Sequence, residues 1–519
     1  MKELSSDSKR PYYITTPIYY VTDAPHIGHL YCTVGADIVA RYERMAGKDV
    51  LFLTGTDEHG QKMQKKAKET GEAPQALADR VVVRYRDAWK RYGITNDDFI
   101  RTTEPRHKKV VAEYVHQLME TGDIYLSEYE GWYCVPDDAY WTETQLVDGK
   151  CPDCGRPVEK LKEESYFFAM SKYQDRLLAH IEANPDFITP ETRRNEVLGF
   201  VKQGLKDISV SRTTITWGIP FPKDPKATKE HKVYVWFDAL TNYVSALNPL
   251  DGDPRFATYW PEAVHLVGKD ILRFHAVYWP TFLMALGLPL PKKIVAHGWL
   301  TLSNRKISKS LGNAIDPMTL AEEVGVDGLR YFLFREFSFG HDGEYTKEVM
   351  YRRINADLAN DFGNAVSRVT SMLIKYVGAE VSLPKTEPFP EAEGLVGTVG
   401  HAIENFRFER GLEAIWKLLS RVNRSIDEVA PWTLAKAGDE ASRKKLVDAL
   451  AQWHESLRIA SVLLLPFIPE SAEKALRTLG VPEGARRVAD ATWGVGPRTV
   501  ALAKPAPLFP RLEIPAEDA

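Results

Sequence analysis

The sequence predicts an α/β chain: a doubly wound parallel sheet, split by an insertion and followed by an α-helical bundle. Three observations carry this. An aromatic and β-branched run, a helix-spaced stretch and a second strand-like run follow one another within about 45 residues near the start, which is the length of a βαβ unit. From about 123 to 231 the chain becomes richer in Tyr, Trp, Gly and Pro, with short alternating stretches and a cysteine cluster. After residue 316 the apolar positions recur at helical spacing, and only a helical bundle fits that last third.

The elements follow in order. Residues 12–20 (YYITTPIYY) read as a buried strand closed by a turn. Leu30, Val34, Ile38, Tyr42 and Met45 then recur at helical spacing, and Gly47 stops the helix. Asp49–Thr54 is the next strand and runs into GTDEHG at 55–60. Beyond the insertion the α/β pattern resumes at Val233–Asp238, Ala263–Asp270 and Ile294–Gly298. Leu358, Phe362, Val366, Val369, Leu373 and Tyr376 mark an amphipathic helix, and stretches 395–427 and 441–465 mark others. The tail 495–519 is rich in Pro and Ala and predicts no element.

At 519 residues the chain exceeds one hydrophobic core, so two to four domains are expected. Its 44% apolar and 27% charged residues are ordinary for a globular protein. A net charge of −4 argues against a protein that coats nucleic acid with its whole surface, though not against a local basic patch. Four cysteines do not make a disulfide scaffold. Because Cys134, Cys151 and Cys154 cluster, they raise the question of metal. The polar start, MKELSSDSKR, is no signal peptide, and no apolar run reaches the ~20 residues of a membrane span. The expected location is the cytoplasm, with no membrane partner.

Two short motifs carry the chemistry. Pro25-His26-Ile27-Gly28-His29 opens a helix directly after a strand. The helix N-terminus favours anions, the glycine admits close backbone approach, and two imidazoles three residues apart can reach one phosphate. A helix cap with two surface histidines would also produce this string. Lys306-Ile307-Ser308-Lys309-Ser310, before Leu311-Gly312-Asn313, follows a strand and His297-Gly298. Its lysines suit phosphate, and its glycine suits a loop that closes on a leaving group. A solvated basic loop is the plain alternative.

Together these motifs resemble the signature pair of class I aminoacyl-tRNA synthetases. Further strings are similar to the methionyl-tRNA synthetase family: TTPIYY before the first motif, FLTGTDEHG at 52–60, YVWFDALTNY at 234–243, VGKDILRFH at 267–275, AHGWLTLSNRKISKS at 296–310, NDFGNAVSR at 360–368 and APWTLAK at 430–436. The resemblance runs from about 10 to 515. It departs at Ile307, where the family usually has Met; only the Lys and Ser side chains of that motif carry charge or donate.

The resemblance implies a Rossmann-like fold and a two-step ligase reaction using ATP with Mg2+. Methionine's carboxylate attacks the α-phosphate, pyrophosphate leaves, and the 3′-terminal adenosine of tRNA(Met), which bears a CAU anticodon, takes the methionyl group. His26, His29, Lys306 and Lys309 would be catalytic, and Gly28, Ser308 and Ser310 would complete the ATP site, with Gly28 making room for adenine. Methionine would be held by Ile18, Tyr20, Asp57, Trp236, Leu240, Tyr243 and His297, with Asp57 on the ammonium and aromatic walls around the thioether. Leu240 departs from the Pro of some relatives. Asn364, Arg368 and Trp432 would read the anticodon.

Cys151-Pro-Asp-Cys154-Gly is half of a zinc knuckle. Cys134 heads the other half, but Asp137 stands where many relatives have Cys. Either these four residues hold one structural zinc, or the knuckle has decayed. The resemblance divides the chain into a catalytic domain in two halves (1–122 and 232–315), an insertion (123–231), a stem-contact region (316–357) and an anticodon-binding bundle (358–519). It also implies a monomer, because the appended dimerising domain of some relatives is missing. A nucleotidyltransferase that uses no tRNA, or a non-catalytic tRNA-binding paralogue, is the competing reading. The helical C-terminal third opposes the first, and retention of both His and both Lys opposes the second.

Overall fold

The computed structural model describes residues 9–136, 139–141, 143–302, 305–306 and 315–513. The chain folds as two compact units, one of Pro11–Pro25 and Leu51–His297, the other of Met1–Arg10, His26–Val50 and Gly298–Ala519.

The first unit is built on a six-stranded sheet. Its strands are β1 (Pro11–Tyr20), β2 (Asp49–Asp57) and β3 (Asp98–Arg101) on one side. The antiparallel β4 (Ile124–Cys134), β5 (Ala139–Trp141) and β6 (Glu159–Phe168) come next in the chain and belong elsewhere. β7 (Ile188–Thr189) returns to the sheet, β8 (Ile208–Ser209), β9 (Ser211–Arg212) and β10 (Lys232–Val233) do not, and β11 (Ala263–Gly268) and β12 (Lys293–His297) complete it. The order is β3-β2-β1-β11-β12-β7. β1 runs parallel to β11 with Thr15 opposite His265, and β11 parallel to β12 with Gly268 opposite His297. At Gly55 the approach of β2 to β3 is so close that a Cβ would lie 2.1 Å from the Ile100 carbonyl oxygen.

Strand order reverses between β1 and β11, and ligands of open α/β sheets bind beyond the carboxyl ends at such a switch point. Tyr20, Asp57, Gly268 and His297 are the last residues of their strands. One continuous apolar core lies behind them, from Tyr13 and Leu53 to Trp279 and Ala296. β4, β5, β6 and β8, all within 123–231, form a separate antiparallel sheet. The same stretch also supplies β7, which pairs Ile188 with Ile294 at the edge of the central sheet. The run Val233–Asp238 is strand only at its start. The chain turns at Tyr234 into a short helix, Val235–Leu240, which gathers its polar Asp238 into a buried network.

The second unit is helical. Its first helix, Ile27–Met45, ends just before Gly47, whose φ of 91° only glycine adopts readily. Asp37 of this helix is fully buried and takes Arg330 at 2.8 Å, while the same guanidinium donates to the carbonyls of Pro466 and Phe467 at 2.9 Å. Tyr31 stacks on Phe334, which meets Phe408 edge to face. The long helices Phe408–Val429 and Glu440–Leu464 form the bundle with Asn364–Tyr376. The expected helix across 395–427 is broken at Phe406, whose φ is 57°. The Pro- and Ala-rich tail contributes a strand after all, Thr499–Ala501 against Glu380–Ser382.

Candidate active site

The first motif caps its helix with its own side chains. The Gly28 N–H donates to His26 Nδ1 at 3.1 Å, and the His26 N–H donates to His29 Nδ1 at 3.1 Å. The two rings stack with centroids 3.8 Å apart. A neutral imidazole whose Nδ1 accepts must carry its proton on Nε2. The sequence thus builds two Nε2–H donors, side by side, at a helix N-terminus. A Cβ on Gly28 would lie 2.9 Å from His26 Cε1, so the glycine's first duty is to admit the His26 ring. Its expected service to adenine is a separate matter.

The second motif begins on a strand, Arg305–Lys306, whose Lys306 backbone pairs with Thr301. The Lys306 side chain, Ile307, Ser308, Lys309 and Ser310 lie outside the described residues. Where the description resumes, the Ile315 carbonyl accepts the N–H of Ile27 at 3.2 Å. Ile315, two residues beyond the Leu311-Gly312-Asn313 that follows the second motif, is thereby tied to the first turn of the helix that carries the first motif.

The sequence-expected methionine residues belong to the sheet unit. Asp57 ends β2, buried, with Oδ1 lacking a hydrogen-bond partner among the described residues. Burial and the neighbouring Asp238 carboxylate push its carboxyl well above the usual range. A buried, under-satisfied carboxylate calls for a cationic guest. Leu240 and Tyr243 are core residues, and Ile18, Tyr20 and Trp236 pack against that core. The Trp236 ring stacks on Phe274 at 3.7 Å, nearly parallel.

The Tyr243 hydroxyl meets His275 Nε2 at 2.8 Å, and His275 Nδ1 faces the Ile271 carbonyl at 2.9 Å. The carbonyl can only accept, so Nδ1 holds the proton and Tyr243 donates to Nε2. Burial lowers this imidazole to about 4, keeping it neutral. His275 lies in a π-helical turn, Phe274–Tyr278, a geometry often found at functional sites. His275 thus bonds to Tyr243, and His297, expected from the sequence to contact methionine, sits at the end of β12 opposite Gly268.

Sequence reading singled out neither His275 nor Phe274, although VGKDILRFH ends in both. It also passed over Arg212. That guanidinium is buried, donates to Ser209 Oγ at 2.9 Å and to the Ser211 carbonyl at 2.8 Å, and lies 4.4 Å from the Tyr234 ring. The unit therefore holds both a buried carboxylate and a buried guanidinium, the opposite charges that a zwitterionic amino acid presents.

In the helical unit Asn364 opens its helix, exposed. Arg368, one turn on, donates to Asp427 at 3.3 Å. Asp427 lies five residues before Trp432, which is 47% exposed, an unusual placement for the largest apolar side chain. Asn364 and Arg368 thus lie one turn apart on one helix, and Trp432 holds an aromatic face open to solvent.

The thiols of Cys134, Cys151 and Cys154 lie within 4.8 Å of one another, and those of Cys134 and Cys154 are 3.5 Å apart. Tetrahedral zinc at ~2.3 Å from each sulfur separates sulfurs by about 3.8 Å, so the three fit. Around them is only a small satellite cluster with Trp141, Trp132, Leu146 and Val158, too little to hold a knuckle closed by packing alone. Asp137, the expected fourth ligand, lies outside the described residues.

Comparison with known proteins agrees with this picture. A family profile described as tRNA synthetases class I (M) matches residues 12–160 and 154–370. Methionine–tRNA ligases of Caldanaerobacter subterraneus subsp. tengcongensis and Bacillus subtilis are each 49% identical, over 98% of this chain and 80% and 78% of theirs. A Mycobacterium tuberculosis methionyl-tRNA synthetase, solved in complex with methionyl-adenylate, superposes with a TM-score of 0.91 at 43% identity, covering 97% of this chain and all of that one. This chain belongs to the methionyl-tRNA synthetase family of class I tRNA synthetases.

Proposed function

We propose that the chain is a methionine–tRNA ligase that works by the two-step reaction of its family. In the first step the methionine carboxylate oxygen bonds to the α-phosphorus of ATP, the bond to the β-phosphate bridge breaks, and pyrophosphate carries away the electron pair. In the second a hydroxyl of the 3′-terminal adenosine of tRNA attacks the methionyl carbonyl and AMP leaves. Mg2+ accompanies ATP as part of that substrate and neutralises its phosphates.

Such chemistry needs positioning and fixed donors rather than a protein nucleophile. The observation that carries the reading is the Ile27–Ile315 bond, which supports a joint role for the two motifs in handling the triphosphate. His26 and His29 donate through Nε2–H to phosphate oxygens. Lys306 and Lys309, with Ser308 and Ser310, serve the β- and γ-phosphates. Asp57 takes the methionine ammonium and Arg212 offers its guanidinium to the carboxylate. Trp236, Tyr243, Tyr20, Ile18, Leu240 and His297 wall the side chain, and His275 orients Tyr243.

Asn364, Arg368 and Trp432 read a CAU anticodon by hydrogen bonding and stacking, as single-stranded loops are read. Cys134, Cys151 and Cys154 hold a structural zinc, with Asp137 as the fourth ligand. The enzyme acts as a monomer. Among the described residues no helix is long and apolar enough to cross a membrane.

Methionine-dependent ATP–pyrophosphate exchange, followed by charging of a CAU-anticodon tRNA, tests the reading. Exchange should require methionine, and charging should require the CAU loop. Exchange with methionine no faster than with leucine or isoleucine would defeat it.

A further inference from the structure

One fully satisfied buried charge in the sheet unit is not among the expected substrate contacts. Asp238 is completely buried, yet both its oxygens are engaged: Oδ2 by His59 Nδ1 and Oδ1 by His107 Nε2, each at 2.7 Å. His107 Nδ1 in turn meets Ser245 Oγ at 2.8 Å. His59 packs edge-on against Trp217, whose indole N–H donates to the Glu58 carbonyl at 2.6 Å. His59 touches both carboxylates, Asp238 through its ring and Asp57 through its backbone N–H.

Asp238 also sits on the back of the short helix Val235–Leu240. Trp236 and Leu240, four residues apart, share one face of that helix, and Asp238, midway between them, points away from it. One side chain thus ties the wall of the proposed methionine pocket to the loop that ends β2.

We propose that Asp238, clamped by His59 and His107, is a positioning residue that sets both the placement and the charge of Asp57, the carboxylate that receives the methionine ammonium. This rests on the reading of Asp57 given above. The clamp keeps Asp238 ionised: burial opposes its charge, but the two imidazoles pull its carboxyl down to about 2. Burial raises Asp57, and that fixed negative charge raises it further. Glu58, which takes the fork of Arg101 at 2.7 and 2.9 Å, also pushes Asp57 up, while the His59 N–H and Lys62 pull it down. Asp57 is therefore poised as a carboxylate that gains most when a cation arrives.

The sign follows. Ammonium binding needs ionised Asp57, so kcat/KM for methionine falls as pH drops through the raised value, while KM for ATP does not follow. In pyrophosphate exchange with the full-length protein, Asp238→Asn removes the repelling charge and should move this acid limb to lower pH by about one unit. His107→Gln removes part of the compensation and should move it the opposite way. A limb left in place by Asp238→Asn in a protein with wild-type secondary structure, or moved in the same direction by both variants, overturns the proposal. Should Asp238→Asn not fold, His107→Gln decides: a limb at higher pH supports the clamp, and an unmoved limb refutes it. Asp57→Asn, run beside them, separates the two claims. If it keeps the wild-type KM for methionine, the reading of Asp57 fails. If it loses methionine-dependent exchange while the Asp238→Asn limb stays put, only the clamp fails.

Discussion

A histidine is most useful when its neighbours decide which nitrogen holds the proton. In His26 and His29 backbone N–H groups donate to Nδ1, which leaves the ring proton on Nε2. On the proposed reading both Nε2–H groups can strengthen their bonds as negative charge develops on the transferring phosphate. His26→Ala should lower kcat for pyrophosphate exchange by about 10²–10³-fold, the usual effect of losing one transition-state donor. The KM for methionine should change little, and an unchanged kcat would remove His26 from the chemistry. Tyr243 makes a different kind of contact. Its hydroxyl satisfies a buried, neutral His275, and Tyr243→Phe leaves that Nε2 without its donor. The expected destabilisation is about 1–3 kcal/mol, read as a lower urea midpoint, and an unshifted midpoint would show that the bond contributes nothing net.

At the scale of elements the knuckle at the end of β4 is held by little apolar packing among the described residues. Its apolar cluster among the described residues is three buried residues with four others against it, and the zinc proposed above would cross-link it through the three thiols. Protein purified without chelator should hold one equivalent of zinc, and stripping the metal should lower the melting temperature. Absence of zinc at that stage would mean the knuckle closes by other means.

The elements also show where sequence ceased to be informative. β1, the helix after it and β2 were legible because their apolar periods are clean and Gly47 marks the stop. The helix at 235–240 was not. Val233, Val235 and Phe237 alternate like a strand, and the buried network that turns the chain is made with His59 and His107, more than a hundred residues away. His275 was hidden for the same reason, since its value lies in meeting Tyr243, 32 residues earlier in the chain. The edge strand β7 and the terminal strand Thr499–Ala501 are two and three residues long, too short to show a period.

For the whole molecule, the arrangement of functions among compact units is more informative than any single site. The helix that begins with His26 and His29 belongs to the same unit as Asn364, Arg368 and Trp432. Inside that unit the buried Asp37–Arg330 pair ties this helix to the carbonyls of Pro466 and Phe467, at the end of the long bundle helix. Adenylate formation nevertheless needs no tRNA, so the two steps should separate under mutation. Trp432→Ala removes an exposed stacking face worth about 1–3 kcal/mol per base, which corresponds to roughly 5–150-fold in affinity. It should raise the KM for tRNA in charging by a factor in that range and leave pyrophosphate exchange as it was. A parallel loss in exchange would mean that the bundle's outer surface governs the helix capped by His26 directly. The Asp37–Arg330 pair is the rigid connection through which that influence would pass, and Asp37→Asn would then reproduce the loss without touching Trp432.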